Sequence, residues 1–219
     1  MYIQLNSQII CYERTGEVGP PVILIHGNSE DHHIFDPLVE RLNKDHVVYA
    51  LDTRGHGESA TPKEYHYVDM AKDVINLIKA LDIEKPYLLG YSDGGIIALL
   101  VAMEASELLS GIICCGANLT PAGLHHRDIR EMKRYYKKTN DPKTLMMLQE
   151  PDISPEDLKK IAVPAMIFAG KDDMVKEKET KKIAESIPNS VLKVLPGETH
   201  SSYIVQKDTL YPLIETFIR

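Results

Sequence analysis

Pro86-Tyr-Leu-Leu-Gly90-Tyr-Ser92-Asp-Gly94-Gly-Ile-Ile-Ala-Leu-Leu100 joins two apolar runs through a glycine-rich break. Residues 87–90 are too few and too apolar for an amphipathic helix, whereas 96–105 is long and contains no breaker. The stretch reads as strand, sharp turn, helix, with the chain reversing around Ser92. A reversal with almost no loop crowds the backbone at its apex, so glycine is needed two residues before and two after it. Gly90 and Gly94 stand there.

The Gly-x-Ser-x-Gly spacing suits a serine hydroxyl held clear of a sheet edge, above the positive end of a helix. A glycine-rich turn with no chemistry has the same spacing, so the flanking sequence has to decide. Upstream, 21–27 is an unbroken β-branched run, as in a strand buried on both faces of a parallel sheet. Residues 31–43 carry Ile34, Phe35, Leu38, Val39 and Leu42 at helical spacing, and 46–51 reads as a strand. A polar, glycine-rich loop over 52–59 and a helix over 67–81 complete that side. Residues 2–5 and 8–12 form an expected hairpin around Asn6-Ser7.

Downstream, a strand over 108–115 is followed by a break in the rhythm. From 116 to 161 there is no convincing strand, short helices are expected over 128–138 and 144–148, and Pro121, Pro142, Pro151 and Pro155 punctuate the segment. An excursion of about 45 residues is too long for an ordinary connection and implies a lid or an inserted subdomain. The alternation resumes with a strand over 163–170, a charged helix over 176–187, a strand over 190–195 and a closing helix over most of 202–218. Alternating strands and helices imply right-handed crossovers onto a mostly parallel sheet, so the fold class is α/β. One domain over 1–219 is expected, with the insertion at about 117–161.

Net charge of −7 argues against nucleic acid as a partner, and no apolar run approaches the roughly 20 residues of a membrane span. The N-terminus lacks the basic and apolar regions of a signal peptide. Cys11, Cys114 and Cys115 are odd in number and two are adjacent, which suggests buried thiols in a reducing, cytoplasmic setting and no disulfide framework.

A serine hydroxyl needs a base to take its proton, and the base needs an acid to hold its tautomer. Both must lie beyond the C-terminal ends of other strands. His200, in Pro196-Gly-Glu-Thr-His200, lies beyond the last strand; Asp172 and Asp173 follow the strand ending at Gly170; Asn118 occupies the corresponding place after the strand before that. Either aspartate could serve. The pairs His32-His33 and His125-His126 lack Cys or carboxylate partners at ligand spacing, so no metal or other cofactor is expected. The basic run 127–138 reads as a solvated helix of the insertion.

With these pieces together the chain resembles the α/β-hydrolase superfamily over almost its whole length. The resemblance is carried by His26-Gly27-Asn28, Asp52-x-Arg-Gly-His-Gly-x-Ser59, Gly90-Tyr-Ser-Asp-Gly-Gly95, Gly170-Lys-Asp-Asp173 and Gly197-Glu-Thr-His200, in that order. It implies a central sheet flanked by helices under a small helical lid. It implies Ser92 as nucleophile, His200 as base and Asp173, the last residue of its turn, as acid. It places the oxyanion hole on the backbone N–H groups of Asn28 and Asp93, where side-chain identity should matter little, and gives His26 and His56 supporting roles.

The expected activity is that of a metal-independent carboxylesterase-like serine hydrolase. A short lid favours a small-molecule ester; Tyr135, Met146 and Met147, with Leu145 and Leu148, fit its apolar wall and equally fit a small core of the lid's own. The same fold also accommodates C–C hydrolases, lyases, perhydrolases and small-molecule receptors that retain a triad.

Overall fold

The computed structural model describes residues 1–6 and 8–219. Its eight strands are β1 (Tyr2–Leu5), β2 (Gln8–Thr15), β3 (Pro21–Ile25), β4 (Val47–Leu51), β5 (Tyr87–Tyr91), β6 (Gly111–Cys115), β7 (Ala165–Asp172) and β8 (Ser190–Thr199). They form one sheet in the order β1-β2-β4-β3-β5-β6-β7-β8. From β4 to β8 all neighbours are parallel; β1 and β2 add an antiparallel edge. The β1–β2 pairing is the expected hairpin, although Ser7 of its turn lies outside the described residues. The α/β class and the mostly parallel sheet follow the sequence expectation.

Alternate residues of the central strands enter two separate cores. Ile23 and Ile25 of β3 pack with α2 (Tyr67–Ala80) and α3 (Asp93–Ala105), whereas Val22 and Leu24 pack with α1 (Asp36–Leu42) and the C-terminal segment. Period-2 alternation with both faces covered explains the unbroken apolar sequence. Cys114 and Cys115 take opposite faces of β6 and are fully buried, as small hydrophobes. Helix α3 is apolar all round, with Ile96 to Leu99, Val101 and Ala102 at 1% exposure or less. Truncating Ile97 to Ala would cost about 2–5 kcal/mol on that account.

Three expectations are corrected. The helix over 31–43 splits into a 3-10 turn, His32–Phe35, capped by the Asp31 side chain, and α1, whose first turn holds Pro37 where no N–H is needed. The closing helix over 202–218 shrinks to α8 (Tyr211–Ile214), because Gln206 takes φ 53 and gives its N–H to Ile34 O at 2.8 Å. The expected strand start at 108 moves to Gly111, since Ser106–Leu108 forms a 3-10 turn.

Between β6 and β7 lie α4 (His126–Thr139), α5 (Pro142–Gln149) and α6 (Pro155–Leu158), with no named strand. Helix α6 was missed by periodicity, but Ser154-Pro155-Glu156-Asp157 closes a capping box that a search for helix starts would find. The insertion is not uniform. Met146, Ile153, Leu158 and Ile161 join the α2–α3 side of the core, where α7 (Glu177–Ser186) also packs; α4 has no buried residue.

Candidate active site

The apex between β5 and α3 is held by backbone contact. A Cβ on Gly90 would stand 2.0 Å from Gly94 O, and one on Gly94 would stand 2.0 Å from Ile25 O. Neither position can hold a side chain without moving main chain. Ser92 itself takes φ 53 and ψ −115, a conformation that L residues rarely adopt and that marks a strained, functional turn. Its N–H is tied to Cys115 O at 2.7 Å, and its carbonyl accepts from Gly95 and Ile96 in the first turn of α3.

His200 follows the last residue of β8, and Asp173 follows β7, on the same sheet edge. Nε2 of His200 lies 3.0 Å from Ser92 Oγ, and Nδ1 lies 2.6 Å from Asp173 Oδ1. A carboxylate only accepts, so Nδ1 carries the proton and Nε2 is free to receive one from the serine. Asp173 is 5% exposed and fastened by the N–H groups of Gly170 (3.2 Å) and Val175 (2.9 Å). Asp172 is exposed on the strand end, and the His200 contact goes to Asp173. Gly116 makes room for the imidazole: a Cβ there would meet His200 Cε1 at 2.6 Å. That requirement leaves no mark in the local pattern of the sequence.

The backbone N–H groups of Asn28, just beyond β3, and Asp93, at the start of α3, have no acceptor among the described residues. They occupy the two places expected for oxyanion donors. Their side chains are also bonded to one another and to helix α2. Asn28 Nδ2 donates to Asp93 Oδ2 at 3.0 Å, and Tyr67 OH donates to Asp93 Oδ1 at 2.7 Å. Burial raises the Asp93 carboxyl, and these two hydrogen bonds oppose the shift. Tyr67 N in turn donates to Glu150 at the end of α5, at 3.0 Å. Tyr67 carried no chemical signal in the sequence; it read as part of a helix stripe.

His26 and His56 hold loops. Thr53 N–H donates to His26 Nε2 at 3.0 Å, so the proton of His26 sits on Nδ1 and goes to Gly27 O at 2.6 Å. Burial depresses both imidazoles, His56 to about 3. Burial would raise the Asp52 carboxyl, but hydrogen bonds from His32 and Glu58 outweigh it and hold it near 2. Arg54 pairs with Asp73 through two contacts, 2.7 and 2.8 Å. The loop 52–59 is thereby a buttress of polar bonds under the sheet edge.

The three wall candidates do not come together. Tyr135 is 54% exposed on the outer side of α4, Met146 is packed in the main core, and Met147 is half-buried. Ile129, Met132 and Tyr136 form the half-buried stripe of α4 instead. Below the start of α4, a cleft of about 460 Å³ is lined by His125, His126, Arg127, Lys171, Asp172 and Asp173.

Residues 20–141, more than half of the chain, match a family described as the alpha/beta hydrolase fold. The chain belongs to the alpha/beta hydrolase family. Human serine hydrolase BPHL is 27% identical over 248 residues, spanning 99% of this chain and 85% of that protein. The esterase EaEST from Exiguobacterium antarcticum superposes with a TM-score of 0.86 at 22% identity, covering 99% and 98% of the two chains. The meta-cleavage product hydrolase CumD from Pseudomonas fluorescens IP01 superposes at 0.81 and 22% identity, covering 99% and 96%. At such identities the two structures show a shared fold, and relatives that carry hydrolase names place the chain in a family of hydrolases.

Proposed function

We propose that the protein is a serine hydrolase that cleaves a small carboxylic ester through an acyl-enzyme on Ser92. The observation that carries the reading is the unbroken contact chain Ser92–His200–Asp173, at 3.0 and 2.6 Å, built on a strained apex. Ser92 Oγ attacks the ester carbonyl as its proton passes to His200 Nε2. The carbonyl oxygen becomes an oxyanion facing the N–H groups of Asn28 and Asp93, donors commonly worth about 3 kcal/mol each. The intermediate collapses, the C–O bond to the alcohol breaks, and the alcohol leaves with the proton from His200. Water then gives a proton to His200 as its oxygen adds to the acyl carbon; the bond from that carbon to Ser92 Oγ breaks, Oγ takes the proton back from His200, and the acid leaves. Asp173 keeps the Nδ1–H tautomer and supports the imidazolium.

No metal or other cofactor enters these steps. We assign the protein to the cytoplasm, acting on a small molecule, with neither nucleic acid nor membrane as partner. The reading rests on the net charge of −7 and the three buried, unpaired thiols; no helix among the described residues is long and apolar enough to cross a membrane.

The test is fluorophosphonate labelling with mass-spectrometric mapping, beside hydrolysis of short p-nitrophenyl esters by wild type and Ser92→Ala. Labelling confined to Ser92, with ester turnover falling by about 10⁴-fold or more in Ser92→Ala, is expected. Undiminished turnover in that variant would overturn the mechanism. Labelling without turnover would redirect the reading to a C–C hydrolase, lyase, perhydrolase or receptor on the same triad.

A further inference from the structure

Glu30 stands outside the triad and the oxyanion pair, yet its carboxyl is folded back onto both. Ser29 takes φ 60, a left-handed value that reverses the chain and returns Glu30 to the start of its own turn. There Oε2 accepts the Gly27 N–H at 3.0 Å. Gly27 also measures how close this carboxyl lies to the nucleophile. A Cβ built on Gly27 would stand 2.8 Å from Glu30 Oε2 and 3.1 Å from both Ser92 Cβ and Tyr91 Cε1. Carboxyl and nucleophile therefore flank one gap that glycine leaves open.

Among the described residues no Lys or Arg forms an ion pair with Glu30. The ionisable groups that face it are Asp31 on its own loop, Tyr91 at the end of β5, Asp93 at the start of α3 and His200 beyond β8. Of these only His200 can be cationic, and it is already bonded to Asp173. Burial lifts the Glu30 carboxyl to about 7, against the opposing pull of the Gly27 N–H and His200. An unpaired carboxyl of this kind, beside a nucleophile, is what functional sites accumulate.

We infer that Glu30 is a positioning residue of the oxyanion loop, clamping the turn that aims the Asn28 N–H and setting the local charge against which the oxyanion forms. The inference rests on the serine-hydrolase reading. Its two effects separate chemically. The clamp needs only an acceptor oxygen, which carboxylate, carboxylic acid and amide all supply. The charge exists only in the carboxylate, which stands one residue from a hole donor and opposes the negative charge that develops there.

The experiment follows the second-order rate of fluorophosphonate labelling of Ser92 across about pH 5 to 9 in wild type, Glu30→Gln and Glu30→Ala, with melting temperatures alongside. Loss of the clamp should slow Glu30→Ala by about tenfold below about pH 7, and the deficit should narrow above it as the wild type acquires the opposing charge. The ratio of Glu30→Gln to wild-type rates should rise by about threefold or more as pH passes through about 7, because only the wild type acquires the opposing charge. A ratio that does not change with pH overturns the inference, as does Glu30→Ala labelling at the wild-type rate. If Glu30→Ala fails to fold, the Glu30→Gln ratio decides alone. Absence of labelling in the wild type would instead remove the serine-hydrolase reading, and the inference with it.

Discussion

The apex around Ser92 and helix α4 of the insertion are built on opposite principles. At the apex, main chain touches main chain, Ser92 is held at φ 53, and ten of the thirteen residues of the helix that follows are buried. Helix α4 has no buried residue; Asp128, Ile129, Met132 and Tyr136 are half-buried and the remaining positions are exposed. A group that must sit within a few tenths of an ångström of a reacting atom is carried by the first kind of structure. A cover that must part from the site can be carried by the second. The insertion itself divides along this line, since α5 contributes Met146, α6 contributes Leu158 and the segment between them Ile153 to the core, while α4 buries no residue.

The sharpest way to break the comparison is Gly94→Ala. Its methyl would meet Ile25 O at 2.0 Å, so a loss of several kcal/mol or failure to fold is expected in urea titration. A variant that melts like wild type would show that the apex is softer than its contacts imply. Next in size, Asp173→Asn should lower kcat by about 10³–10⁴-fold with little change in melting temperature, whereas Asp172→Asn should stay within about twofold. Steady-state kinetics on a p-nitrophenyl ester reads both, and the reverse ranking would reassign the acid.

Smaller effects probe the buttress. Tyr67→Phe leaves the buried Asp93 carboxyl one donor short and should lower stability by about 1–3 kcal/mol. The Asp52 carboxyl is held near 2, below its unfolded value, so its contribution is present above about pH 4 and is lost as pH falls toward 2. A pH series of urea melts should show a term of roughly 2 kcal/mol vanishing across that window, and Asp52→Asn should flatten it. At the bottom of the scale, Tyr135→Ala on α4 should leave kcat/KM within about twofold and stability within about 0.5 kcal/mol. A larger loss there would mean that α4 folds inward during turnover.

The same division explains what could be read in advance. Ser92, His200 and the pair Asp172-Asp173 were legible because strand ends in a parallel sheet all open onto one edge, so order along the chain predicts convergence in space, while the choice of Asp173 within the pair came from the family resemblance. Glycine spacing betrayed the apex because backbone collisions admit only that residue. Tyr67, Gly116 and Glu30 were not legible: each acts through a contact with a residue distant in sequence or folded back by a turn, and side-chain identity alone does not announce it. The choice between pocket wall and core at Tyr135 and Met146 was open for a related reason. An apolar residue on a short helix can face a pocket, a core or solvent, and periodicity over fewer than four turns does not choose among them.

By itself, then, the sequence determined the alternation of strands and helices, the tight apex at Ser92 and the strand-end loops that carry His200 and the Asp172-Asp173 pair, because these follow from backbone sterics, local periodicity and the common edge of a parallel sheet. Only the tertiary structure decided that Asn28 and Asp93 are joined through their side chains, that Glu30 returns to the nucleophile and that Met146, Ile153, Leu158 and Ile161 anchor the insertion in the core. Those outcomes depend on which surfaces meet, and long-range packing settles that after the local elements have formed.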